Sequence, residues 1–370
     1  MALNNYKLGD LLMRNSEENK DLIYGISDVR GVRNTKGISN TKIDVSGRNL
    51  KTFLVVRPGG FIFNHRVHDK LGLGYNTSDE TYIFTNDYVS FYVKPEVKNR
   101  ILLPDYLYMW YLRPEFDRYM LFKTYGSATL FFSWDNMCEL EIELPNLPTQ
   151  QKYVDVYNAM VANQQAYERG LEDLKLTCDA YIEDLRRKMP CEKIGRYIER
   201  HDIRNGKNGS KNVMGISTSK QFREPTSKVN KNELANYKVC HPRQIGFVQT
   251  THNEKVFTYA FNNTKEDIVV SSVNEVFSTQ EDKLYPEYLC MFFNRTEFDR
   301  YARFHSWGSA RETFTWNDLI EVKIPIPDIA IQKSIAEMYT VFNKRKKINE
   351  QLKAQIKNIC PILIRGSLEE

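Results

Sequence analysis

Residues 104–157 read PDYLYMWYLRPEFDRYMLFKTYGSATLFFSWDNMCELEIELPNLPTQQKYVDVY, and residues 286–339 read PEYLCMFFNRTEFDRYARFHSWGSARETFTWNDLIEVKIPIPDIAIQKSIAEMY. The two stretches align without a gap at an offset of 182, and 21 of their 54 positions are identical. Their common core is RPEFDRY (113–119) against RTEFDRY (295–301), then GSA from Gly126 and Gly308, Trp134 against Trp316, and Pro145 against Pro327. An ungapped match of this length means duplication, so one supersecondary unit occurs twice. A weaker echo lies upstream, with KLGD at Lys7 against KIGR at Lys193 and GIS at Gly25 against GIS at Gly215, at offsets of 186 to 190. Residues 28–100 and 218–284 are therefore expected to differ in length and sequence inside a common frame.

The chain has 370 residues and 43.5 kDa, which fits two such units rather than one large core. With 41% hydrophobic and 27% charged residues and a mean hydropathy of -0.53, the composition is that of a folded soluble protein. No apolar stretch approaches the roughly 18 residues of a spanning helix, and MALNNYKLGD lacks the apolar segment of a signal peptide, so the expected compartment is the cytoplasm. Six cysteines at 138, 178, 191, 240, 290 and 360 form no CxxC, which argues against a zinc knuckle or redox pair.

Each repeat runs into a helical segment. In the first, Tyr153, Tyr157, Met160, Gln164, Tyr167, Leu171, Leu174, Cys178, Tyr181 and Leu185 step by alternating four and three residues, a heptad stripe. A helix from about 150 to 188 would be roughly 57 Å long, a rod rather than an interior element. The second shows Ile335, Met338, Phe342, Ile348, Leu352, Ile356, Ile359 and Leu363, interrupted by the basic run 344–347. Two rods with narrow apolar seams hide them best by pairing antiparallel with each other. Ahead of each rod, strand-like runs at 53–57, 82–84, 88–93, 245–250 and 268–273 give way to helical patterning at 106–122 and 288–304, then to closing strands at 140–144 and 322–326. The expected fold is therefore mixed α/β, with boundaries at 1–148, 149–189, 190–328 and 329–370.

The net charge of +5 is modest, but its distribution is not uniform. Residues 30–57 hold Arg30, Arg33, Lys36, Lys42, Arg48, Lys51 and Arg57 against Asp44 alone, and residues 193–231 hold ten cations, among them Lys220, Arg223 and Lys228, against Glu199, Asp202 and Glu224. Both segments are rich in Asn, Ser, Thr and Gly, which suits phosphate contact together with hydrogen bonding to base edges. Two further loops match in position after an apolar strand. One carries Asn64, Arg66, His68 and Lys70, the other Gln249, His252, Asn253 and Lys255, the residue types that read guanine (Arg, Lys) and adenine (Asn, Gln). Arg30, Arg33, Lys36 and Arg48, with Lys220, Arg223 and Lys228 and the eight residues of these two loops, are the fifteen candidate DNA contacts.

Catalytic signatures are missing. The chain has no P-loop, no glycine-rich cofactor turn paired with an N-P-P-aromatic tetrad, and no second cluster near His65 and His68 or near His201 and Asp202 that would complete a metal site. Asp299 with Glu321 and Lys323 loosely matches a Mg²⁺ nuclease set. The first copy has Asp117, Glu139 and Glu141 there, so the lysine is lost while the framework stays, and Asp299 reads as structural.

The stretch GSARETFTWNDLIEVKIPIPDIAIQKSIAEMY (308–339) resembles the end of a target-recognition domain in specificity subunits of type I restriction-modification systems, where G-S/T-x leads to I-P-x-P and then E-Q-x-x-I. Here 324–327 gives the I-P-I-P, Ile331-Gln332 stands for Glu-Gln, and the first copy departs further, with Leu144-Pro145 and Gln150-Gln151. The resemblance implies two target-recognition domains joined by two long helices in an antiparallel coiled coil. It implies a non-catalytic subunit that reads a bipartite, asymmetric duplex target for two modification subunits, which bind S-adenosylmethionine, and for restriction subunits. No cofactor or metal is expected on this chain. Two other classes stay open: a coiled-coil interaction scaffold, and a stand-alone DNA-binding protein without restriction partners.

Overall fold

The structure is a computed structural model and describes residues 4–41, 44–126, 130–207, 209–226, 229–230, 234–250, 256–308 and 312–370. It divides into two compact units, Met1–Ala166 with Asn349–Glu370, and Tyr167–Ile348.

In the first unit four antiparallel strands form the central sheet in the order Leu12–Asn15, Tyr88–Val93, Phe61–Asn64, Leu73–Tyr75. The second unit repeats this order with Ile198–His201, Glu275–Thr279, Ile245–Phe247 and Tyr259–Phe261. The closing strands pair with the first strand of their own unit, Glu141–Leu144 with Asn4–Lys7 and Lys323–Pro325 with Cys191–Lys193. Each unit thus begins and closes on neighbouring strands. The observed strands fall within all five expected runs, and each unit combines sheet and helix as expected.

The helical patterning resolves into two helices per unit, Pro104–Tyr111 and Pro114–Lys123, then Pro286–Asn294 and Thr296–Phe304. Arg113 and Arg295 are extended at the break, and Pro114 at the first helical position of its helix fixes the restart in the first unit. The apolar faces of these helices close the two cores, around Phe61, Phe91, Tyr111 and Phe116 in one and Phe247, Phe257, Phe293 and Phe298 in the other. The short helices Trp134–Cys138 and Trp316–Ile320 are capped by Ser133 and Thr315, whose hydroxyls accept from Asn136 N and Asp318 N.

The KLGD and KIGR echo has a steric cause. A Cβ on Gly9 would lie 2.9 Å from Cys138 Cβ, and one on Gly195 would lie 2.7 Å from Ile320 Cβ, so the backbone needs glycine to approach the short helix. The GIS echo is corrected. Gly31 pairs with Ser39 beside Val32–Ile38, and Gly215 pairs with Arg223 beside Ile216–Phe222, so Gly215 corresponds to Gly31 rather than to Gly25.

The long helices run Leu147–Lys188 and Ile329–Glu369. They pair antiparallel in both units: Tyr153 and Tyr157 pack with Ile359, Cys360, Leu363 and Ile364 in the first, and Cys178, Ile182 and Leu185 with Ile335, Met338 and Tyr339 in the second. The heptad reading needs two corrections. Ile182, not the exposed Tyr181, is the buried residue, and Asn349 replaces the exposed Ile348. Asn349 Oδ1 accepts from Gln164 Nε2 at 2.9 Å, a buried polar pair of the kind that fixes the register of a coiled coil. Leu171 and Leu174, members of the heptad stripe, are half-buried. Changing both to Asp is expected to lower helix content and melting temperature together in circular dichroism; an unaltered melt would sink the pairing.

One glutamine repeats at the start of each long helix. Gln150 accepts from Leu103 N and donates to the carbonyls of Ile101 and Pro145; Gln332 accepts from Tyr285 N and donates to those of Lys283 and Pro327. Both are fully buried. The position matching the Glu-Gln motif in the first copy is therefore Thr149-Gln150, not Gln150-Gln151.

Candidate nucleic-acid interface

Each unit projects a basic β-hairpin, Arg30–Val32 with Ile38–Asn40 and Gly215–Ile216 with Phe222–Arg223. At the turns Lys36 and Lys220 adopt positive φ of 65° and 62°, and their side chains fold inward. Lys36 Nζ reaches Asp117 at 2.7 Å, and Lys220 Nζ reaches Asp299 at 2.8 Å and the Phe293 carbonyl at 2.5 Å. Burial holds both ammonium groups below the usual lysine range, against the raising effect of the carboxylate. The expectation of Lys36 and Lys220 as surface cations is corrected: they anchor the hairpins to the EFDRY helices. That also accounts for Asp117 and Asp299, since Asp299 further accepts from Phe257 N.

The anchored turn leaves Arg33 exposed at the tip of the first hairpin, with Arg223 exposed on the second and Arg48 exposed in the loop that follows the first. Arg30 is held from behind, its guanidinium donating to Ser27 O and lying 4.5 Å over the Tyr82 ring. In the second loop region of the first unit Arg66, His68 and Lys70 are exposed, while Asn64 is half-buried and its Oδ1 accepts from Arg66 N. The His65 ring stacks on Phe131 at 5.5 Å. Lys228, His252, Asn253 and Lys255 lie outside the described residues, as does Lys42.

In the second unit Gln249 belongs to a larger assembly. Arg200, Asp202, Arg204, Lys238, Gln249, Ser272, Val273 and Glu275 line an open cavity of ≈ 590 Å³. Buried Glu275 organises it: it accepts both ends of the Arg200 guanidinium at 2.8 and 2.6 Å, Gln249 Nε2 at 2.7 Å and Lys238 Nζ at 3.3 Å. One carboxylate thus holds two cations and an amide around a hollow wide enough for a phosphate or a base edge.

The register of the sheets identifies the corresponding positions in the first unit. Arg14 faces Phe91 as Arg200 faces Phe277. Val89 faces Phe63 as Glu275 faces Phe247, and Leu54 bridges Glu18 as Lys238 bridges Arg204. His65 O accepts from Phe132 N as Gln249 O accepts from Phe314 N. The frame is common, but Glu18, Leu54, His65 and Val89 stand where the other unit has Arg204, Lys238, Gln249 and Glu275.

The family profile for the type I restriction modification DNA specificity domain matches residues 192–358. This stretch is similar to a type I DNA specificity domain. Across 99% of this chain and 96% of the other, the fold is similar to that of the type I restriction-modification system S subunit from M. genitalium, with a TM-score of 0.61 and 11% identity. The HsdS subunit from Thermoanaerobacter tengcongensis is matched over 99% of this chain and 96% of its own, with a TM-score of 0.42 and 12% identity. No curated protein matches the chain. The resemblance read from residues 308–339 is borne out, and with it DNA recognition as the role of the specificity domain.

Sequence reading missed the residues that build the cavity of this specificity domain. Lys238 and Glu275 sit at buried positions of otherwise apolar strands. Neither charge is tolerable there alone, so a lysine in YKVCH and a glutamate in VNEVF were a signal for a pair. Among the described residues no group of three or more His, Cys, Asp or Glu could hold a metal, and no helix is long and apolar enough to cross a membrane.

Proposed function

We propose that the chain is the DNA-recognition subunit of a type I restriction-modification system, with each unit reading one half of a bipartite duplex target. The observation that carries this reading is one frame present twice, its second copy matched to the specificity domain, with different side chains at equivalent places. A common frame gives both units the same approach to a duplex, while Leu54, His65 and Val89 in one unit replace the polar set Lys238, Gln249 and Glu275 of the other, so the two units present different surfaces to base edges. The target is then asymmetric.

In this reading the subunit is itself non-catalytic. Modification subunits carry S-adenosylmethionine and the methyl transfer, restriction subunits carry cleavage, and the compartment is the cytoplasm. Exposed Arg33, Arg48 and Arg223 supply phosphate contacts, and Arg66, His68, Lys70 and Gln249 lie where base edges would be read.

Replacing residues 28–100 by the corresponding segment of a relative is expected to change one half of the methylated sequence and leave the other half as it was. Single-molecule methylome sequencing of the host reads this out, and a change in both halves contradicts separate reading units. A coiled-coil scaffold without DNA binding is separated by duplex titration, since a DNA reader loses affinity linearly in log salt and a scaffold shows no such dependence.

A further inference from the structure

Both units carry exposed aromatic residues at the same two places, in the last turn of the EFDRY helix and just beyond it. Phe122 and Phe304 are 83% and 80% exposed, and Tyr125 and Trp307 are 59% and 72% exposed. Large aromatic side chains are seldom left in water, and their recurrence in both copies argues against chance.

Backbone pairing ties them to the candidate reading loops. Tyr125 exchanges hydrogen bonds with Phe131, whose strand pairs with Arg66–Val67. Trp307 exchanges hydrogen bonds with Thr313, which bridges Thr250 next to Gln249. Gly126 and Gly308 follow at φ of 120° and 136°, a turn that favours glycine and so accounts for the repeated G of GSA. The surroundings hold both signs of charge: exposed Arg66 and the partly exposed Lys123 in the first unit, Arg300 and Arg303 in the second, with His305 edge-on to Phe304. Asp87, Glu139 and Glu297 are the acids near these cations, each at an ion-pair distance from one of them.

Resting on the DNA-recognition reading, we propose that Tyr125 and Trp307, with Phe122 and Phe304 behind them, are duplex contacts of the same kind in each unit. They press an aromatic face against deoxyribose and groove edge without requiring a particular base. Two observations select duplex DNA as the occupant. The aromatic residue is backbone-paired to the segment that pairs with the reading loop, and it is retained where the neighbouring positions, His65 and Gln249, diverge. A contact kept while its neighbours change is one that does not read sequence.

The test uses the full chain, titrated with duplexes carrying its target and with random-sequence duplexes at two salt concentrations. Tyr125→Ala and Trp307→Ala are each expected to weaken binding roughly tenfold on every duplex, as truncation of a buried aromatic anchor does. The salt slope should stay unchanged, because an apolar contact releases no counterions. Trp307→Phe should retain most of the affinity, and duplex should protect Trp307 fluorescence from acrylamide. Unchanged affinity in the alanine variants, with wild-type protein binding normally, overturns the inference alone. The same holds if these variants bind DNA normally but fail to assemble with modification subunits, which assigns the aromatics to a protein partner. Wild-type protein that binds no duplex overturns the DNA-recognition reading itself.

Discussion

Asp299→Ala is expected to destabilise the second unit by about 3–5 kcal/mol, the cost of stranding a buried charge without its partner. Lys220 Nζ is almost fully covered, and Asp299 is both its counter-ion and the acceptor for Phe257 N. Removing the carboxylate leaves a buried ammonium with only the Phe293 carbonyl and no counter-ion, and the Phe257 amide without its acceptor. The double variant Lys220→Met with Asp299→Leu should regain most of the loss, since replacing a buried pair by apolar groups of similar volume is often neutral. Chemical denaturation of the three proteins checks this, and a double variant no more stable than Asp299→Ala would mean that the pair is not what holds the hairpin. DNA affinity supplies the second readout: with the hairpin released, Arg223 loses its fixed position, so the double variant should fold and yet bind less tightly.

Gln332→Ala should cost about 2–4 kcal/mol, because one N–H and two carbonyls lose their partner in a site from which water is excluded. Gln332→Glu is the sharper variant. It keeps shape but turns a carboxylate oxygen toward the carbonyls of Lys283 and Pro327, where Gln332 now donates. At neutral pH it should be at least as damaging as alanine. The buried carboxyl then has a folded-state pKa above its unfolded value, so it is protonated first in the folded protein. Stability relative to wild type should therefore recover as pH falls through that raised value. Thermal melts from pH 7 to pH 5 decide it, and a glutamate variant as stable as wild type at pH 7 would show that the amide donors contribute little.

The duplication, the long helices and the most apolar strands were legible because they rest on patterns of many residues. The positions that misled were those where a single side chain turns the other way. Lys36 and Lys220 belong to runs of cations that look like solvated loops, but a left-handed turn residue sends each of them inward, and composition holds no record of backbone sign. Tyr181 and Ile348 fit a heptad count yet are exposed, since Ile182 and the buried Gln164–Asn349 pair set the actual seam. The GIS match failed for a different reason: three common residues recur by chance more easily than a hairpin register does. The cavity around Glu275 was partly legible, as a charge in each of two apolar strands, but only the sheet pairing brings Arg200 and Gln249 to the same carboxylate.

The core of the first unit takes Cys360, Leu363 and Ile364 from the far end of the chain, and the Tyr106 hydroxyl bonds Ser367 across 261 residues of sequence. The second unit, by contrast, is one uninterrupted segment. Order of synthesis and order of completion are then reversed: a nascent chain extended through residue 348 already holds every residue of the second unit, while the first, made earlier, still waits for its last helical turns to leave the ribosome. Until then Tyr153, Tyr157 and their neighbours are uncovered, and of the two units the one begun earlier becomes resistant to proteases and chaperone capture later.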